Sequence, residues 1–429
     1  MQISANNPGR KTWLHVDKNS DFPIQNIPFG VFLTRDDIIT IGTRIGDTAI
    51  DLGALHQLGY FNDIPLTDDI FLQDTLNDFI ADGRKTWRAV RNKIADIFDD
   101  ENDTLKLNKQ HKEVVLFRLD EIEMQLPVQI GDYTDFYSNI EHATNLGTMF
   151  RGPEEPLLPN WLHIPIGYHG RSSSIIPSGI PIHRPQGQTL PQGAKDPVFG
   201  PSERIDFELE LAFITTDAND LGEPIPVNEA EEYIFGLVLF NDWSARDIQS
   251  WEYAPLGPFL SKNFASSMSP WIVTLDALEP YRVQGPKPIK PQMPYLQTKG
   301  KKSFDINLEV AIQPKKEKET IVCRSNFKHM YWNMSQQLAH HTINGCPVNS
   351  GDLMGSGTIS GPTPESLGSM LELTIKGTQP ITLKDGTERN FINDYDTVIM
   401  RGFCENDGTR IGFGEVKTEL LPVFTPKKK

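Results

Sequence analysis

Short apolar runs separated by proline- and glycine-rich stretches dominate the chain after residue 125. The runs of strand length and strand composition are residues 206–214, 234–240, 306–312 and 371–375. Stretches between them, such as residues 184–201, contain too many prolines and glycines to form helices. With 33 glycines and 32 prolines among 429 residues, the chain favours a turn-rich, mainly β fold with some α.

The first quarter of the chain has a different pattern, with two helices among shorter extended runs. Apolar residues recur at helical spacing over residues 84–98 and again over 69–80, where Thr67 and Asp68 are candidate N-caps. The strand-rich pattern begins only after Pro127. Since 429 residues also exceed one ordinary domain, we predict an N-terminal domain of residues 1–124 and a larger one of residues 125–429.

One further helix is predicted over residues 327–343, ending at Asn344 and Gly345, a favourable C-cap pair. Its His340 and His341 fall in the last turn, where the helix dipole favours them, so we assign them a structural role. Gly355, Ser356 and Gly357 superficially resemble a phosphate-binding loop, but no lysine follows them. We interpret that segment as backbone that approaches a ligand.

Charge and cysteine content exclude several classes of function. The net charge of −16 opposes binding to nucleic acid or to an anionic membrane, and the basic tail Lys427 to Lys429 is typical of a solvated end. Three cysteines without a CxxC motif indicate a reducing compartment. Residues 234–240 form the longest apolar run, which is too short to span a membrane, and the first residues lack a secretory signal. We therefore predict a cytoplasmic protein without a nucleic-acid or membrane partner.

Three acidic residues alternate with apolar residues in the run of residues 206–211. Asp206, Glu208 and Glu210 would project from one face of a strand. If that face is buried, the repulsion among three carboxylates requires a cation, whereas on a wet face they are only polar. The row is therefore compatible with a metal site or with a solvent-facing strand.

A second polar group follows the apolar strand of residues 234–240. Asp242 is either a site residue at the end of this strand or a helix N-cap. The next residues, SARDIQSWEY, predict a helix with three residues on one face that suit an anionic or carbonyl-rich ligand: Arg246, Gln249 and Tyr253. An ordinary surface helix is the alternative, but its aromatic residues (Trp243, Trp251 and Tyr253) indicate that it is packed.

A third fragment, residues 132–150, predicts a short helix with Thr134 and Asp135 as candidate caps. Asp135 and His142 are seven residues apart, so on a helix they would share a face about 10 Å apart along the axis. Asp135 would then bind a metal while His142 faces the substrate. The alternative for His142 is a buried structural histidine.

Long segments of the chain resemble the fumarylacetoacetate hydrolase family: DYTDFYSNIEHATNLGTMFRG, LLPNWLHIPIGYHGRSSS, FELELAF, FGLVLFNDWSARDIQSWEYAPLGPFLSKNF and NGCPVNSGDLMGSGTISGP. The similarity covers most of residues 125–420. FPIQNIPFGVF and TRIGDTAIDLGAL resemble the N-terminal domain of the same family. The resemblance implies an SH3-like barrel followed by a mixed β-sandwich roll, and a homodimer.

The resemblance also implies roles for individual residues. The metal carboxylates are Asp135, Glu208, Glu210 and Asp242, and Lys262 with Ser266 lies near a second, Mg-type site in which the family has a threonine instead of Ser266. The catalytic residues are the base His142, its orienting partner Glu372 in a predicted strand, Arg246, Gln249 and Lys262. The substrate contacts are Tyr137, Arg151, Tyr168, Gln249, Tyr253 and Thr358. An all-oxygen site favours Ca or Mg as the divalent cation.

The reaction implied by the resemblance is hydrolysis of a carbon–carbon bond in a small diketo acid. Its substrate is 4-fumarylacetoacetate, which yields fumarate and acetoacetate at the last step of tyrosine and phenylalanine catabolism. Two alternatives stay open: a related acylpyruvate or diketo-acid hydrolase or decarboxylase, and a non-catalytic Ca-binding β protein.

Overall fold

The N-terminal part of the chain folds into a small β sheet flanked by helices. The computed structural model describes residues 2–217 and 219–426, so the basic tail Lys427 to Lys429 lies outside the described residues. The first strands are β1 Phe29–Thr34, β2 Ile39–Ile45, β3 Thr48–Asp51, β4 Leu116–Arg118 and β5 Ile122–Met124. The helices are α1 Leu52–Gln57, α2 Asn77–Ala81, α3 Gly83–Ile97, α4 Asp103–Lys106 and α5 Lys109–Val115. The five strands form an antiparallel sheet in the order β4-β3-β2-β1-β5.

The rest of the chain is richer in strands. They are β6 Tyr133–Phe136, β7 Gly167–Gly170, β8 Ile175–Pro177, β9 Ile182–His183, β10 Gln186–Thr189, β11 Val198–Pro201, β12 Ile205–Asp206, β13 Leu209–Thr215, β14 Ile234–Asp242, β15 Ser244–Ala245, β16 Ser266–Met268, β17 Val273–Thr274, β18 Arg282–Val283, β19 Ser303–Phe304, β20 Asn307–Gln313, β21 Thr320–Asn326, β22 Leu353–Gly355, β23 Ile381–Thr382, β24 Glu388–Arg389, β25 Thr397–Asn406 and β26 Thr409–Leu421. The helices are α6 Ile140–Arg151, α7 Arg246–Glu252, α8 Leu275–Leu278, α9 Met334–Thr342 and α10 Met370–Leu373.

Two large sheets form the C-terminal domain. The first has the order β7-β6-β22-β13-β14-β16-β8 with β17 paired to β14, and the second has the order β21-β20-β25-β26-β9. Both are mixed, because β22 with β6, β16 with β8 and β26 with β9 are parallel pairs. Their facing apolar side chains, among them Leu239, Leu308 and Met400, share one buried core. The predicted fold class, an N-terminal β domain before a larger mixed, β-rich domain, is confirmed, and the boundary at residues 124 and 125 stays a prediction.

The N-terminal domain packs on the first large sheet through aromatic side chains. The ring of Phe235 on β14 lies 4.9 Å from the Trp87 ring, 5.7 Å from Phe29 and 6.1 Å from Phe79, measured between centroids. Phe29 and Ile272 also exchange two backbone hydrogen bonds, of 3.0 and 2.7 Å. Burial of these rings therefore joins the two domains. In the ranges 2–217 and 219–426, no helix has the length and apolar character needed to cross a membrane.

Several predicted elements are confirmed. The helix over residues 84–98 is α3, the strand over 234–240 is β14 extended to Asp242, and the strand over 306–312 is β20. The run of residues 206–214 is extended as predicted but divides into β12 and β13 on either side of Phe207 and Glu208.

The helix predicted over residues 69–80 is wrong for most of its length, because only Asn77–Ala81 is helical. Neither Thr67 nor Asp68 caps it. The amide of Leu76 donates to the carbonyl of Pro127, which holds the preceding segment in turns. Of the four apolar residues that suggested a helical face, Leu76, Phe79 and Ile80 are buried in the N-terminal core, whereas Leu72 is 54% exposed.

Two C-terminal elements also differ from prediction. The helix predicted over residues 327–343 begins only at Met334, because the amides of Tyr331 and Trp332 donate to the Ser138 carbonyl and Asn333 caps the helix. The strand predicted over residues 371–375 is wrong, since Met370–Leu373 is a helical turn. Ser369 caps that turn by accepting a hydrogen bond from the backbone amide of Glu372.

We predict that Phe235→Ala lowers the free energy of unfolding by about 3–5 kcal/mol, because it leaves a cavity among rings that cannot collapse fully. Urea denaturation followed by tryptophan fluorescence measures this change. Phe424→Ala is the control, since Phe424 is 64% exposed and its removal is expected to change stability by less than about 0.5 kcal/mol. Equal losses in the two variants would contradict the assigned role of Phe235.

Candidate metal centre and active site

Four carboxylates from separate parts of the chain meet at one end of the first large sheet. Asp135 lies on β6, Glu210 on β13, Glu208 just before β13, and Asp242 at the end of β14. All four are buried, and each offers an oxygen atom within 4.8 Å of the others. Gly355 on β22 makes the approach possible, because a Cβ atom there would lie 2.9 Å from Asp135 Oδ1 and 3.1 Å from Glu210 Oε2. Glycine at this position leaves room for the carboxylates.

The charges of this cluster are only partly compensated by protein groups. Burial, and then the neighbouring carboxylates, raise the pKa values of Asp135 and Glu210 well above their usual range. Asp135 Oδ1 and Glu210 Oε1 are buried and have no hydrogen-bond partner among the described residues. Unpaired buried carboxylate oxygens are unfavourable unless a proton or a cation neutralises them. The four carboxylates therefore fit a divalent cation held by oxygen ligands.

Lys262 and Arg246 supply the protein's own positive charge beside the cluster. Lys262 Nζ donates to Glu208 Oε2 at 2.7 Å and to Asp242 Oδ2 at 2.6 Å. Arg246 contacts Glu208 Oε1 at 2.7 Å, and the Ser266 hydroxyl donates to Asp242 Oδ1 at 2.9 Å. Burial alone would raise the pKa of Glu208, but Lys262 and Arg246 outweigh it and hold that pKa well below its usual range. Glu208 is therefore ionised.

His142 interacts electrostatically with Glu208 of the cluster and forms a hydrogen-bonded pair with Glu372. The distance from His142 Nδ1 to Glu372 Oε2 is 2.7 Å, and both side chains are buried. Glu372 also accepts hydrogen bonds from Asn145, Ser360 and Ser369 at 2.8 to 3.0 Å. Burial raises the pKa of Glu372, but His142 and the other donors outweigh this, so the pKa is lowered. An ionised Glu372 accepts a hydrogen bond from Nδ1–H, which leaves Nε2 of His142 as the nitrogen with the free lone pair.

The local structure that presents His142 differs from the prediction. Asp135 is on strand β6, where Gly355 and Tyr168 pair with it, and not on the helix that carries His142. Helix α6 begins at Ile140, after the N-cap Asn139, whose side chain accepts a hydrogen bond from the His142 amide at 2.8 Å. The predicted caps Thr134 and Asp135 are therefore wrong, because sheet pairing keeps that segment extended. The two residues still come to the same site from different elements.

The three acidic residues of the 206–211 run are all buried, but they contact different groups. Glu208 and Glu210 join the carboxylate cluster, whereas Asp206 accepts a hydrogen bond from Arg246 Nε at 2.8 Å. The break between β12 and β13 separates them. Arg246 also donates through Nη1 to Gln249 Oε1 at 3.1 Å, so the predicted cationic and amide face of α7 lies at the site.

Of the remaining predicted substrate contacts, three are buried or lie beside the site residues, and two are exposed. The Tyr137 ring lies 5.4 Å from the His142 ring, the Tyr168 hydroxyl donates to Asp242 at 3.1 Å, and Thr358 is buried. Arg151 is exposed and donates to the Pro156 carbonyl. Tyr253 is 60% exposed.

The prediction that the aromatic residues pack α7 holds for only one of them. Trp243 is fully buried, whereas Trp251 is 40% exposed and Tyr253 more so. Trp243 precedes the helix within the core, but the C-terminal end of α7 extends beyond the core. There, the Trp251 indole makes only a long hydrogen bond of 3.4 Å to Gln188.

Sequence reasoning missed four polar residues of this site: Asp206 as a partner of Arg246, and Asn145, Ser360 and Ser369 as partners of Glu372. One signal was available, because serine three residues before glutamate, as in Ser369 and Glu372, is the spacing of a helix N-terminus. Asn145 is three residues after His142 and therefore on the same helix face. For Ser360 no local pattern indicates the contact.

Comparison with known proteins gives a consistent result over nearly the whole chain. Residues 133–420 match the fumarylacetoacetate (FAA) hydrolase C-terminal family, and residues 25–127 match the fumarylacetoacetase N-terminal family. The chain is 50% identical over 418 residues to fumarylacetoacetase of Dictyostelium discoideum, covering 96% of this chain and 98% of that one. It is 48% identical over 417 residues to the Homo sapiens fumarylacetoacetase, covering 97% and 100%.

A solved structure shares the fold at lower similarity. Fumarylacetoacetate hydrolase from psychrophilic Exiguobacterium antarcticum superposes with a TM-score of 0.51 at 16% identity, covering 92% of this chain and 99% of that one. At this identity the likeness shows the fold alone.

Removal of divalent cations is predicted to make stability fall as pH rises. Because the pKa values of Asp135 and Glu210 are raised in the folded chain, the cation-free folded state binds more protons than the unfolded state above the usual carboxyl pKa. Stability then decreases with increasing pH through that range. Bound Ca²⁺ or Mg²⁺ replaces those protons, and at 100 times its Kd it adds about 2.7 kcal/mol.

Thermal unfolding from about pH 5 to about pH 8, with a chelator and with saturating Ca²⁺, tests this prediction. The difference in Tm is expected to widen towards higher pH, and a pH indicator should report proton release when Ca²⁺ is added. Parallel Tm curves without proton release would contradict the raised pKa values.

Proposed function

The chain belongs to the fumarylacetoacetate hydrolase family, and on this basis we propose that it hydrolyses 4-fumarylacetoacetate to fumarate and acetoacetate. The reaction would serve the last step of tyrosine and phenylalanine catabolism. The observation that carries the proposal is the buried His142–Glu372 pair beside the four-carboxylate cluster, at 2.7 Å between Nδ1 and Oε2. Near full-length similarity to curated fumarylacetoacetases supports the choice of substrate.

His142 acts as the general base in this proposal. The Nδ1–H group donates a hydrogen bond to Glu372, which leaves Nε2 to accept a proton from a water molecule. Glu372 then stabilises the imidazolium that forms, with the division of labour found in hydrolase triads but without a covalent nucleophile. Its hydrogen bonds from Asn145, Ser360 and Ser369 keep the carboxylate ionised and fixed.

A divalent cation completes the charge balance of the site. We assign Asp135, Glu208, Glu210 and Asp242 as its ligands and propose Ca or Mg, since every donor is a hard oxygen. Lys262 and Ser266 are assigned to its surroundings, because both bind Asp242. When bound, the cation supplies Lewis-acid polarisation of a substrate oxygen. Calorimetric titration of the chelated protein with each ion compares the two.

The carbon–carbon bond breaks after water adds to the carbonyl next to the fumaryl arm. The oxygen of water stays on the fumaryl product as its new carboxylate. The electron pair of the broken bond leaves with acetoacetate as an enolate, whose carbon takes up the proton that His142 removed from water, and the new carboxyl group releases its proton to solvent. Arg246, Gln249 and Lys262 are assigned as hydrogen-bond donors to the negative oxygen that develops, and such a donor is typically worth about 10²- to 10³-fold in rate.

Other parts of the proposal rest on the family relationship. Tyr137, Tyr168 and Thr358 are assigned as substrate contacts, as are the exposed Arg151 and Tyr253. The homodimer and the cytoplasmic location also stay predictions, and light scattering of the purified protein measures its mass in solution.

An ultraviolet assay with two substrates tests the proposed function. We expect rapid loss of fumarylacetoacetate absorbance and much slower loss with acetylpyruvate. Preference for acetylpyruvate would indicate a related diketo-acid hydrolase instead. Consumption of neither compound would indicate a protein that only binds a cation, and the proposal would be rejected.

His142→Ala is predicted to lower turnover by at least about 10²-fold, since general bases contribute about 10²- to 10⁴-fold. Calcium affinity, measured by calorimetry, is expected to stay unchanged because His142 is not assigned as a ligand. The matched control is His340→Ala, whose imidazole binds the Tyr295 hydroxyl at the end of α9 and is expected to leave turnover intact. Loss of calcium binding together with activity would show that the two roles cannot be separated.

A further inference from the structure

We propose that Asp206 is a positioning residue that locks the Arg246 guanidinium to the helical turn carrying Glu372. The inference rests on the proposed function, in which Glu372 orients the general base and Arg246 stabilises the negative charge that develops on the substrate. Asp206 lies outside the four-carboxylate cluster and is completely buried. Its carboxylate therefore needs a role other than metal binding to be tolerated in the core.

Among the residues that the structure describes, the hydrogen bonds to the Asp206 carboxylate come from the Arg246 side chain and from the turn of α10. Arg246 Nε donates to Oδ2 at 2.8 Å. From helix α10, the Met370 amide donates to Oδ1 at 2.6 Å and the Leu371 amide donates to Oδ2 at 3.0 Å. Glu372 is the next residue along this turn. The Asp206 carboxylate thus connects the Arg246 side chain on α7 to the backbone of α10. That turn carries Glu372, the partner of His142.

Backbone contacts of the residues around Asp206 also link the segment before α7 to the segment before α10. On one side, Asp206 pairs with Ser244, and the Arg246 amide donates to the Arg204 carbonyl at 2.9 Å. On the other side, Glu208 forms a bridge with Ser369, and the Leu209 amide donates to Gly368. Residues 204–209 therefore lie between the start of α7 and the start of α10 and contact both.

Charge explains why this position requires a carboxylate. Arg246 is a buried cation that contacts two acids, Asp206 and Glu208. Glu208 is assigned to the divalent cation, so Asp206 is the acid dedicated to Arg246. Every partner of the Asp206 carboxylate in the described part of the chain is a donor, and an asparagine amide at this position would turn its own NH₂ group towards at least one of them. Asp206→Asn keeps the shape but breaks the connection.

We expect Asp206→Asn to lower kcat by about 10²-fold, the effect of a displacement of about 1 Å in a catalytic group. KM should change far less, and calcium affinity by calorimetry should not change. Asp206→Glu, which retains the charge but moves the carboxylate by one methylene, should also lower kcat. Full activity of Asp206→Glu, or of Asp206→Asn, would overturn the proposal.

Asp396→Asn is the matched control. Asp396 is also a buried carboxylate that binds an arginine and a backbone amide, at 2.7 Å from Arg389 Nε and 2.9 Å from the Asn393 amide. It contacts none of the assigned catalytic residues. We expect it to lower Tm while leaving kcat unchanged. Equal losses of kcat in the Asp206→Asn and Asp396→Asn variants would show that only general destabilisation is involved.

A double-mutant cycle with Arg246→Lys tests the connection itself. If Asp206 acts through Arg246, the double variant should lose little more kcat than the more affected single variant. Fully multiplicative losses would overturn the coupling.

Hydrogen exchange separates this inference from the proposed function. Exchange of residues 368–373, followed by mass spectrometry, should rise in Asp206→Asn and not in Asp396→Asn. If the wild-type protein hydrolysed no diketo acid, the proposed function would fail. Whether or not the protein hydrolyses a diketo acid, unchanged hydrogen exchange of residues 368–373 in the Asp206→Asn variant would overturn the positioning role.

Discussion

Electrostatic repulsion among four buried carboxylates is the constraint on which the rest of this structure depends. Their oxygens lie within 4.8 Å of one another, where a pair of unit charges repels by about 3 kcal/mol at an effective dielectric constant of about 20. Lys262 and Arg246 compensate part of this charge. The unpaired oxygens of Asp135 and Glu210 indicate that protein groups alone do not complete the compensation. A divalent cation would complete it without further side chains.

The sheet supplies the rigidity that such a cluster needs. Three of its acids stand on β6, β13 and β14, and the glycine of β22 between β6 and β13 allows their side chains to approach. Behind this sheet, the aromatic cluster around Phe235 fixes the N-terminal domain against β14. The domain without assigned chemistry therefore supports a strand that ends in a proposed metal ligand, Asp242.

The proposed base, His142, and the proposed charge-stabilising Arg246 are held by a separate polar network. Glu372 accepts hydrogen bonds from four side chains, and Asp206 accepts three from α7 and α10. Each oxygen of these two carboxylates has a donor, so a displacement would leave one of the buried groups without a partner. This restraint presents His142 Nε2 and the Arg246 guanidinium in fixed positions at one site.

Local sequence patterns correctly predicted the elements that have a clear helical spacing of apolar residues or a strongly apolar composition. Helix α3 and strands β14 and β20 follow from spacing and composition alone. The segments at residues 69–80, 132–139 and 371–375 were predicted wrongly. In each, a contact with a distant residue or an overlooked cap decided the conformation: Leu76 with Pro127, β6 with β22, and Ser369 as the cap of α10.

The sequence by itself determined the β-rich class, the family and the identity of the four acids as metal-ligand candidates, because these depend on composition and on long matching segments. Only the tertiary structure decided which acids share one centre, that Asp206 leaves that group for Arg246, and that Asn145 and Ser360 hold Glu372. The physical reason is that most of these contacts join residues that are distant in the sequence, such as Asp206 and Arg246, 40 positions apart, and Asn145 and Glu372, 227 positions apart. Their geometry arises from sheet pairing and core packing, which no local pattern contains.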